Sequence, residues 1–493
     1  MLGQQPPNIV IYVLDSLRAD HLGCYGYQRP TSPHIDGLAA AGVLFRKAFA
    51  QATWTRPSAG SLWTGCYPAV HGALNMGRQL RGDVPSLARS LRAAGYQTGA
   101  FISIGQLSSN WGFAEGFETY QELWRQTDRS ELVQPETQSH ELVRDVEVVA
   151  AFRSWLGGQR RNAPFFALLW GMGTHMPYQI PAAGERVFAR QELAERLDTV
   201  RAIWAIDGPE AAAAVRDRYD EAIRLADRSL GELITFLHEQ SVYDNTAVLV
   251  LGDHGEIFNE HGRGSHWRGS SLLSQLGSVP IIGQVLRRYR LVNRWGVAGH
   301  LDVMPYEEVL HIPLVARFPA GHWAGQQSDA LVEVVDIAPT VLDLAGVGAA
   351  GENMQGSSLL SVVDGASAGK ACVFSDSQRV DAAPRYVSIR DALWKAVRIA
   401  PVVENSEGTG KQGTVERVYR RIERRLSPRT VLYRMPDESR DLCGENTDQL
   451  ERLSAILDGW QEANNERAQG LEDRVLEADE LAESRLRALG YLE

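Results

Sequence analysis

The chain has 493 residues, too many for one small core, so two domains are the natural expectation. A hydrophobic share of 44% with 23% charged residues is ordinary for a soluble globular protein. The net charge of −11 argues against a general nucleic-acid binder, which carries a basic face.

Taken in chain order, "NIVIYVLDSLRAD" is an apolar run closing in a polar cluster, the pattern of a buried parallel strand. "TSPHIDGLAAAGVLFRKAFA" predicts a helix and a second short strand, and "VPSLARSLRAAGYQTGAFIS" repeats helix, glycine, strand, with Gly95 stopping the helix. "PFFALLWGM" predicts a strand and "RDRYDEAIRLADRSLGELITFLHEQ" a helix. "NTAVLVLGDHGE" reads as a strand running into a polar loop; "HIPLVARFP" and the helix "VDIAPTVLDLAGV" follow. Strands alternating with helices over this length predict an α/β domain on a mostly parallel sheet. From about Ala371 short strand-like pieces take over ("ACVFSD", "RYVSIRD", "WKAVRIA", "VLYRMPD"), followed by helical sequence. The expected organisation is therefore a catalytic α/β domain over 1–370 and a smaller α+β domain over 371–493. A terminal amphipathic helix is expected at 474–489 and a loop at 404–413.

Cys24, Cys66, Cys372 and Cys443 show no CxxC spacing, so neither a zinc knuckle nor a disulfide framework is expected. No segment reaches the roughly 20 apolar residues of a membrane span. No basic leader with a long apolar stretch precedes Asn8. The sequence as it stands reads as cytoplasmic, or periplasmic if an export signal has been removed.

The stretch "QATWTRPSAGSLWTGCYPAVHG" places Thr55 two residues before Pro57 and a run of small residues. Proline suits the first turn of a helix, where its missing N–H goes unneeded. Thr55 is then expected just outside the helix N-terminus, where free N–H groups and the helix dipole favour an anion. In open α/β sheets ligands gather beyond the carboxyl ends of the strands. Two strands end there in acidic residues: Asp15, and Asp253 with His254. Two carboxylates and an imidazole at one sheet edge suit a divalent cation. Such a cation at the Thr55 oxygen lowers the hydroxyl pKa enough for nucleophilic attack on a phosphate or sulfate.

Together these segments resemble the sulfatase branch of the alkaline phosphatase superfamily over nearly the whole chain. "PNIVIYVLDSLRADHLGCYGYQRPTSPHIDGLAAAGVLF" is similar to the opening of these enzymes, and "TWTRPSAGSLWTGCYPAVHG" to their nucleophile motif. "THMPY", "YDNTAVLVLGDHGE", "YEEVLHIPLVARFP" and the ending "LRALGYL" are also similar to family segments. The resemblance implies an alkaline-phosphatase-like α/β/α sandwich. It also implies one divalent cation held by Asp15, Asp253, His254 and Thr55, and an active-site histidine at His175. His300 falls where members carry a Lys or His for the substrate's oxyanion. His71 and His261 are expected to be structural; Asp302 and Glu307 have no clear role.

Three departures bear on function. Thr55 stands where formylglycine is made from Cys or Ser in this family, so no formylglycine is expected. Ala59 replaces an arginine, and "ISIGQLSSNWGF" lacks the Lys-His pair that clasps sulfate. These point to hydrolysis or transfer of phosphate mono- or diesters or phosphonates through a threonine nucleophile. The alternatives are a sulfuric ester hydrolase without formylglycine and a catalytically silent anion-binding relative. Ser16 in place of a second aspartate, with His254, favours Mn²⁺ or Zn²⁺ over Ca²⁺. An insertion over 263–298 mixes apolar residues with Arg287, Arg288, Arg290 and Arg294. It reads either as a surface hairpin, packed on the C-terminal domain or at a homo-oligomer contact, or as a lid over an amphiphilic anionic ester. A peripheral membrane contact is the third use open to it.

Overall fold

The computed structural model describes residues 6–125, 142–160, 163–189, 195–199, 202–203, 209–261, 299–300, 304–348, 353–378, 385–400 and 430–474. The insertion 263–298, the loop 404–413, Asp302 and all but Arg474 of the expected helix 474–489 lie outside them.

The main sheet has eight strands: β1 (Asn8–Leu14), β2 (Val43–Phe49), β3 (Gln97–Ile102), β4 (Thr119–Glu122), β5 (Phe165–Gly171), β6 (Thr246–Gly252), β7 (His311–Arg317) and β8 (Gln326–Glu333). Their order is β4-β3-β5-β1-β6-β7-β2-β8. Every neighbouring pair is parallel except those made by β7, which runs against both β6 and β2. The mostly parallel expectation holds, with this one strand reversed and with β4 and β8 added at the edges.

β1, β5 and β6 are buried at every position, as strands covered on both faces must be. Alternation splits β1 between two cores. Ile9, Ile11 and Val13 pack with residues of α2 (Thr55–Thr64), α3 (Leu87–Ala93) and α6 (Ile337–Leu344). Val10, Tyr12 and Leu14 pack with α1 (Pro33–Ala40), α4 (Asp145–Gly157) and α5 (Pro209–Glu239). The result is an α/β/α sandwich, and the chain switches from one side of β1 to the other, the kind of point at whose carboxyl edge ligands bind in open α/β sheets.

A second, antiparallel sheet follows: β9 (Val373–Ser377), β10 (Arg385–Arg390), β11 (Trp394–Ala400) and β12 (Thr430–Arg434), in the order β12-β11-β10-β9. One face buries Leu453 and Leu457 of α7 (Thr447–Ala468). The other packs Tyr386, Val397 and Tyr433 against Ile257, Tyr306 and Val309 of the main unit. Glu307 belongs to this junction, paired with Arg390 at 3.1 Å and Lys395 at 3.4 Å. No described helix is long and apolar enough to cross a membrane.

Candidate active site

Register builds the site. Leu14 of β1 pairs with Gly252 of β6 on one side and Gly171 of β5 on the other. The next residues, Asp15 and Asp253, therefore leave the sheet side by side, with the loop carrying Thr174 and His175 adjacent. Thr174 Oγ1 donates to the Asp15 carbonyl at 2.6 Å and fixes that loop. Ser16 takes the left-handed conformation, with φ of 63°, which for a residue other than glycine is a strained arrangement. The bend aims its N–H at Asp253 Oδ1 (2.9 Å), and Tyr219 holds it by donating to the Ser16 carbonyl at 2.7 Å.

Thr55 is the first residue of α2 rather than lying just outside it, because the extended break comes at Trp54. Pro57 still falls in the first turn, where it costs no hydrogen bond. Ser58 Oγ donates to the Asp253 carbonyl and ties the helix to β6. Behind α2 His71 is buried and engaged structurally, as expected. Its ring accepts from Ala73 N at 3.1 Å, donates to the Pro57 carbonyl at 3.0 Å, and is pushed down to about 3 by burial. Gly60 is needed there: a Cβ on it would stand 2.5 Å from His71 Cε1. His261 is likewise engaged outside the site, 3.0 Å from Glu308 and stacked on Tyr306.

Asp15, Asp253 and His254 bring one donor atom each within 4.8 Å of one another. Thr55 Oγ1 lies 3.4 Å from Asp15 Oδ2 and 3.4 Å from His254 Nε2. All four side chains are buried. His254 Nδ1 is 2.9 Å from the Gly255 carbonyl, which can only accept, so Nδ1 carries the proton and Nε2 presents its lone pair to the carboxylates. Asp253 Oδ2 has no hydrogen-bond partner, although Oδ1 accepts from Ser16 N and His254 N. An orphaned carboxylate oxygen and an inward imidazole lone pair fit a divalent cation with mixed O and N ligands. Burial and the neighbouring Asp15 push Asp253 well above the usual carboxylate range. Burial also opposes ionisation of Asp15, but the neighbouring His175 and the Trp170 N–H (3.0 Å) hold it low.

The two remaining expected residues sit above this group. His175 Nδ1 donates to the Met176 carbonyl at 2.7 Å, and its Nε2 is buried without a partner. His300 packs its ring 4.4 Å from that of His254 and 5.0 Å from that of His175; its Nε2 is also orphaned. Burial and the two neighbouring imidazoles push His300 well below the usual histidine range. His300 reaches the site because Ile257 and Gly299 form an antiparallel bridge that closes the base of the insertion. The structure thus brings together all six residues expected from sequence. Reading the sequence missed Trp170, and also Glu256, which lies 3.2 Å from His300 Nδ1. The only signal for Glu256 was its place directly after "DHG", a charge in an otherwise buried turn.

Comparison with known proteins identifies the family. The family model "Sulfatase" matches residues 7–347, and "N-sulphoglucosamine sulphohydrolase, C-terminal" matches 298–407. Mouse iduronate 2-sulfatase is 25% identical over 406 residues, covering 69% of this chain and 69% of its own. The N-acetylglucosamine-6-O-sulfatase of Bacteroides thetaiotaomicron is 23% identical over 416 residues, covering 73% and 71%. The solved phosphonate monoester hydrolase of Silicibacter pomeroyi shares the fold with a TM-score of 0.65 at 19% identity, over 95% of this chain and 99% of that one. With two thirds of the chain matched by one model and the sheet, helices and edge cluster in place, the chain belongs to the sulfatase family.

Proposed function

We propose that this sulfatase-family hydrolase acts on phosphate mono- or diesters or phosphonates, with Thr55 as the nucleophile. The observation that carries the reading is a plain threonine hydroxyl, 3.4 Å from both Asp15 and His254, where the family makes formylglycine from Cys or Ser. A formylglycine hydrate expels sulfate by collapsing to the aldehyde. A threonine ester has no such exit and must be released by attack at the transferred atom, a route open to phosphorus.

Asp15, Asp253, His254 and Thr55 would hold a divalent cation, with Mn²⁺ or Zn²⁺ favoured by the donor set. When bound, it supplies Lewis acidity that lowers the hydroxyl pKa and offsets charge on the transferring group. Thr55 Oγ attacks phosphorus, its proton passing to solvent, and the Oγ–P bond forms as the bond to the leaving oxygen breaks. His175 keeps its Nδ1 proton on the Met176 carbonyl, so a proton on Nε2 makes the ring a cation. In that state its Nε2 hands a proton to the leaving oxygen, while His300 lies beside the oxyanion position of the transferred group. Water or an alcohol then attacks phospho-Thr55 and restores the hydroxyl. The substrate is a small anionic ester, and an amphiphilic one is compatible with the mixed apolar and arginine composition of 263–298.

The second reading, sulfuric ester hydrolysis, draws on the names of the curated relatives, which are sulfatases. Nitrophenyl phosphate, phosphodiester, phosphonate and sulfate esters, assayed with added Mn²⁺ or Zn²⁺, separate the two. Peptide mass spectrometry after an acid quench is expected to find phosphate on Thr55. Turnover of the sulfate alone, with Thr55 unmodified, would overturn the phosphoryl reading.

A further inference from the structure

Thr55 is reached through residues 50–54, which lie between β2 and α2 and belong to neither. No sheet ladder or helix turn fixes this approach, yet all five residues are buried, so their backbone groups need partners from elsewhere. Three come from the main unit. Ala50 N donates to the Leu310 carbonyl at 2.8 Å. The Gln51 side chain accepts from Val335 N at 3.2 Å and donates to Glu333 at 3.1 Å.

The contacts nearest Thr55 come from the second sheet. Its edge strand β9 pairs with β10 on one side, and on the other Asp376 N donates to the Gln51 carbonyl at 2.8 Å. Ser377, the last residue of β9, places its hydroxyl 2.8 Å from the Thr53 hydroxyl and accepts from Thr53 N at 3.4 Å. Both hydroxyls are buried, so each is satisfied only while strand and loop keep this alignment. Trp54, the one residue between Thr53 and Thr55, is extended, with φ of −156° and ψ of 163°. Thr55 therefore stands at most about 7 Å along the chain from this clamp, too close for a shift at Thr53 to be absorbed.

We propose that Thr53 and Ser377 are positioning residues for Thr55. Their hydroxyl pair ties the second sheet to the entrance of α2 and sets where the Thr55 oxygen stands relative to Asp15 and His254. Attack needs the reacting atoms aligned at about 3–3.5 Å, and a misplacement of about 1 Å can cost 100-fold in rate. The inference rests on the reading of Thr55 as nucleophile. It does not depend on whether the ester is of phosphorus or sulfur.

The test sets this hydroxyl pair against a second one in the same sheet. Ser375 and Ser388, also buried, place their hydroxyls 2.6 Å apart between β9 and β10. Thr53→Val, which keeps the shape but removes the hydroxyl, Thr53→Ser, Ser377→Ala and Ser388→Ala are assayed for kcat, KM and urea midpoint on the nitrophenyl ester that the wild type prefers. Thr53→Val and Ser377→Ala are each expected to lower kcat by about 10- to 100-fold, with KM within about twofold. The double variant should cost no more than the worse single one, because both remove the same contact. Thr53→Ser should stay within about threefold of wild type. Ser388→Ala should lower the urea midpoint about as much as Ser377→Ala yet leave kcat within about twofold, a split that a merely structural role would not give. Equal kcat for Ser377→Ala and Ser388→Ala, or losses that multiply in the double variant, would overturn the assignment. If Ser377→Ala does not fold, Thr53→Val decides alone: a kcat within about threefold of Thr53→Ser overturns it. Thr55→Ala belongs in the same panel. Turnover retained there defeats the nucleophile reading and this inference with it, whereas an inactive Thr55→Ala beside an unaffected Ser377→Ala defeats this inference alone.

Discussion

Thr55→Ala is the perturbation that separates chemistry from fold most cleanly. The hydroxyl makes two contacts, both at 3.4 Å, at the long end of the hydrogen-bond range. Each therefore contributes at the low end of about 0.5–1.5 kcal/mol. The lost buried methyl costs about 1 kcal/mol, and alanine's better helix propensity in the first turn of α2 returns about half of that. Net destabilisation should stay below about 1.5 kcal/mol, read as a small shift of the urea midpoint with unchanged slope. The loss of the attacking oxygen is of another order. A thousandfold or greater fall in kcat/KM is expected, about 4 kcal/mol of transition-state stabilisation. Thr55→Ser, which keeps a hydroxyl, should retain measurable turnover. The assay is kcat/KM on the nitrophenyl ester that the wild type prefers, with equilibrium unfolding of the same preparations. Turnover within about tenfold of wild type in a folded Thr55→Ala protein would refute the nucleophile assignment. A variant unfolded in buffer would show that the stability reasoning is wrong.

Three further outcomes follow from particular atoms. Adding Mn²⁺ or Zn²⁺ at about 100 times its Kd should stabilise the wild type by about 2.7 kcal/mol against unfolding. Asp253→Asn, which keeps the two N–H contacts at Oδ1 but removes the charge at Oδ2, should respond far less, and an equal thermal shift in both proteins would remove Asp253 from the ligand set. Gly60→Ala should lower the urea midpoint, with overpacking of about 1–3 kcal/mol outweighing the helix gain, because the His71 ring is pinned on two sides; an unchanged or higher midpoint would contradict this. Asp145, at the start of α4, is pushed up to about 7 by burial, so between its ordinary 3.8 and that value the folded protein holds the extra proton. Stability from this group therefore falls as pH rises through that window, by at most roughly 4 kcal/mol. Asp145→Asn should accordingly gain stability over wild type at pH 8 and lose the advantage toward pH 4; a constant difference across that range would show that Asp145 does not titrate there.

Much of the site was legible before any coordinates. The runs before Asp15 and Asp253 are apolar at nearly every position, and a buried strand that stops abruptly at an acid marks the sheet edge where ligands bind. Thr55 was legible through Pro57 and the small residues behind it, whose use is now concrete in the Gly60 and His71 contact. The offset of Thr55 into the first turn was not legible, since helix starts depend on one residue's backbone angles. Glu256 was not legible either. It looked like one more acid in "DHGE", and its meaning came only from His300, 44 residues away across the insertion.

By itself, then, the sequence determined which segments are strands, which ends carry acids and imidazoles, and which family these belong to. Periodicity and polarity report each residue's own surroundings, and those signals are local. Tertiary structure decided the reversal of β7 and the placement of β4 and β8. It decided the register that sets Leu14 against Gly252, and the tautomer of His254. These are properties of pairs. Ser16 and Asp253 are 237 residues apart, and no pattern within either segment encodes that one N–H will point at the other's carboxylate.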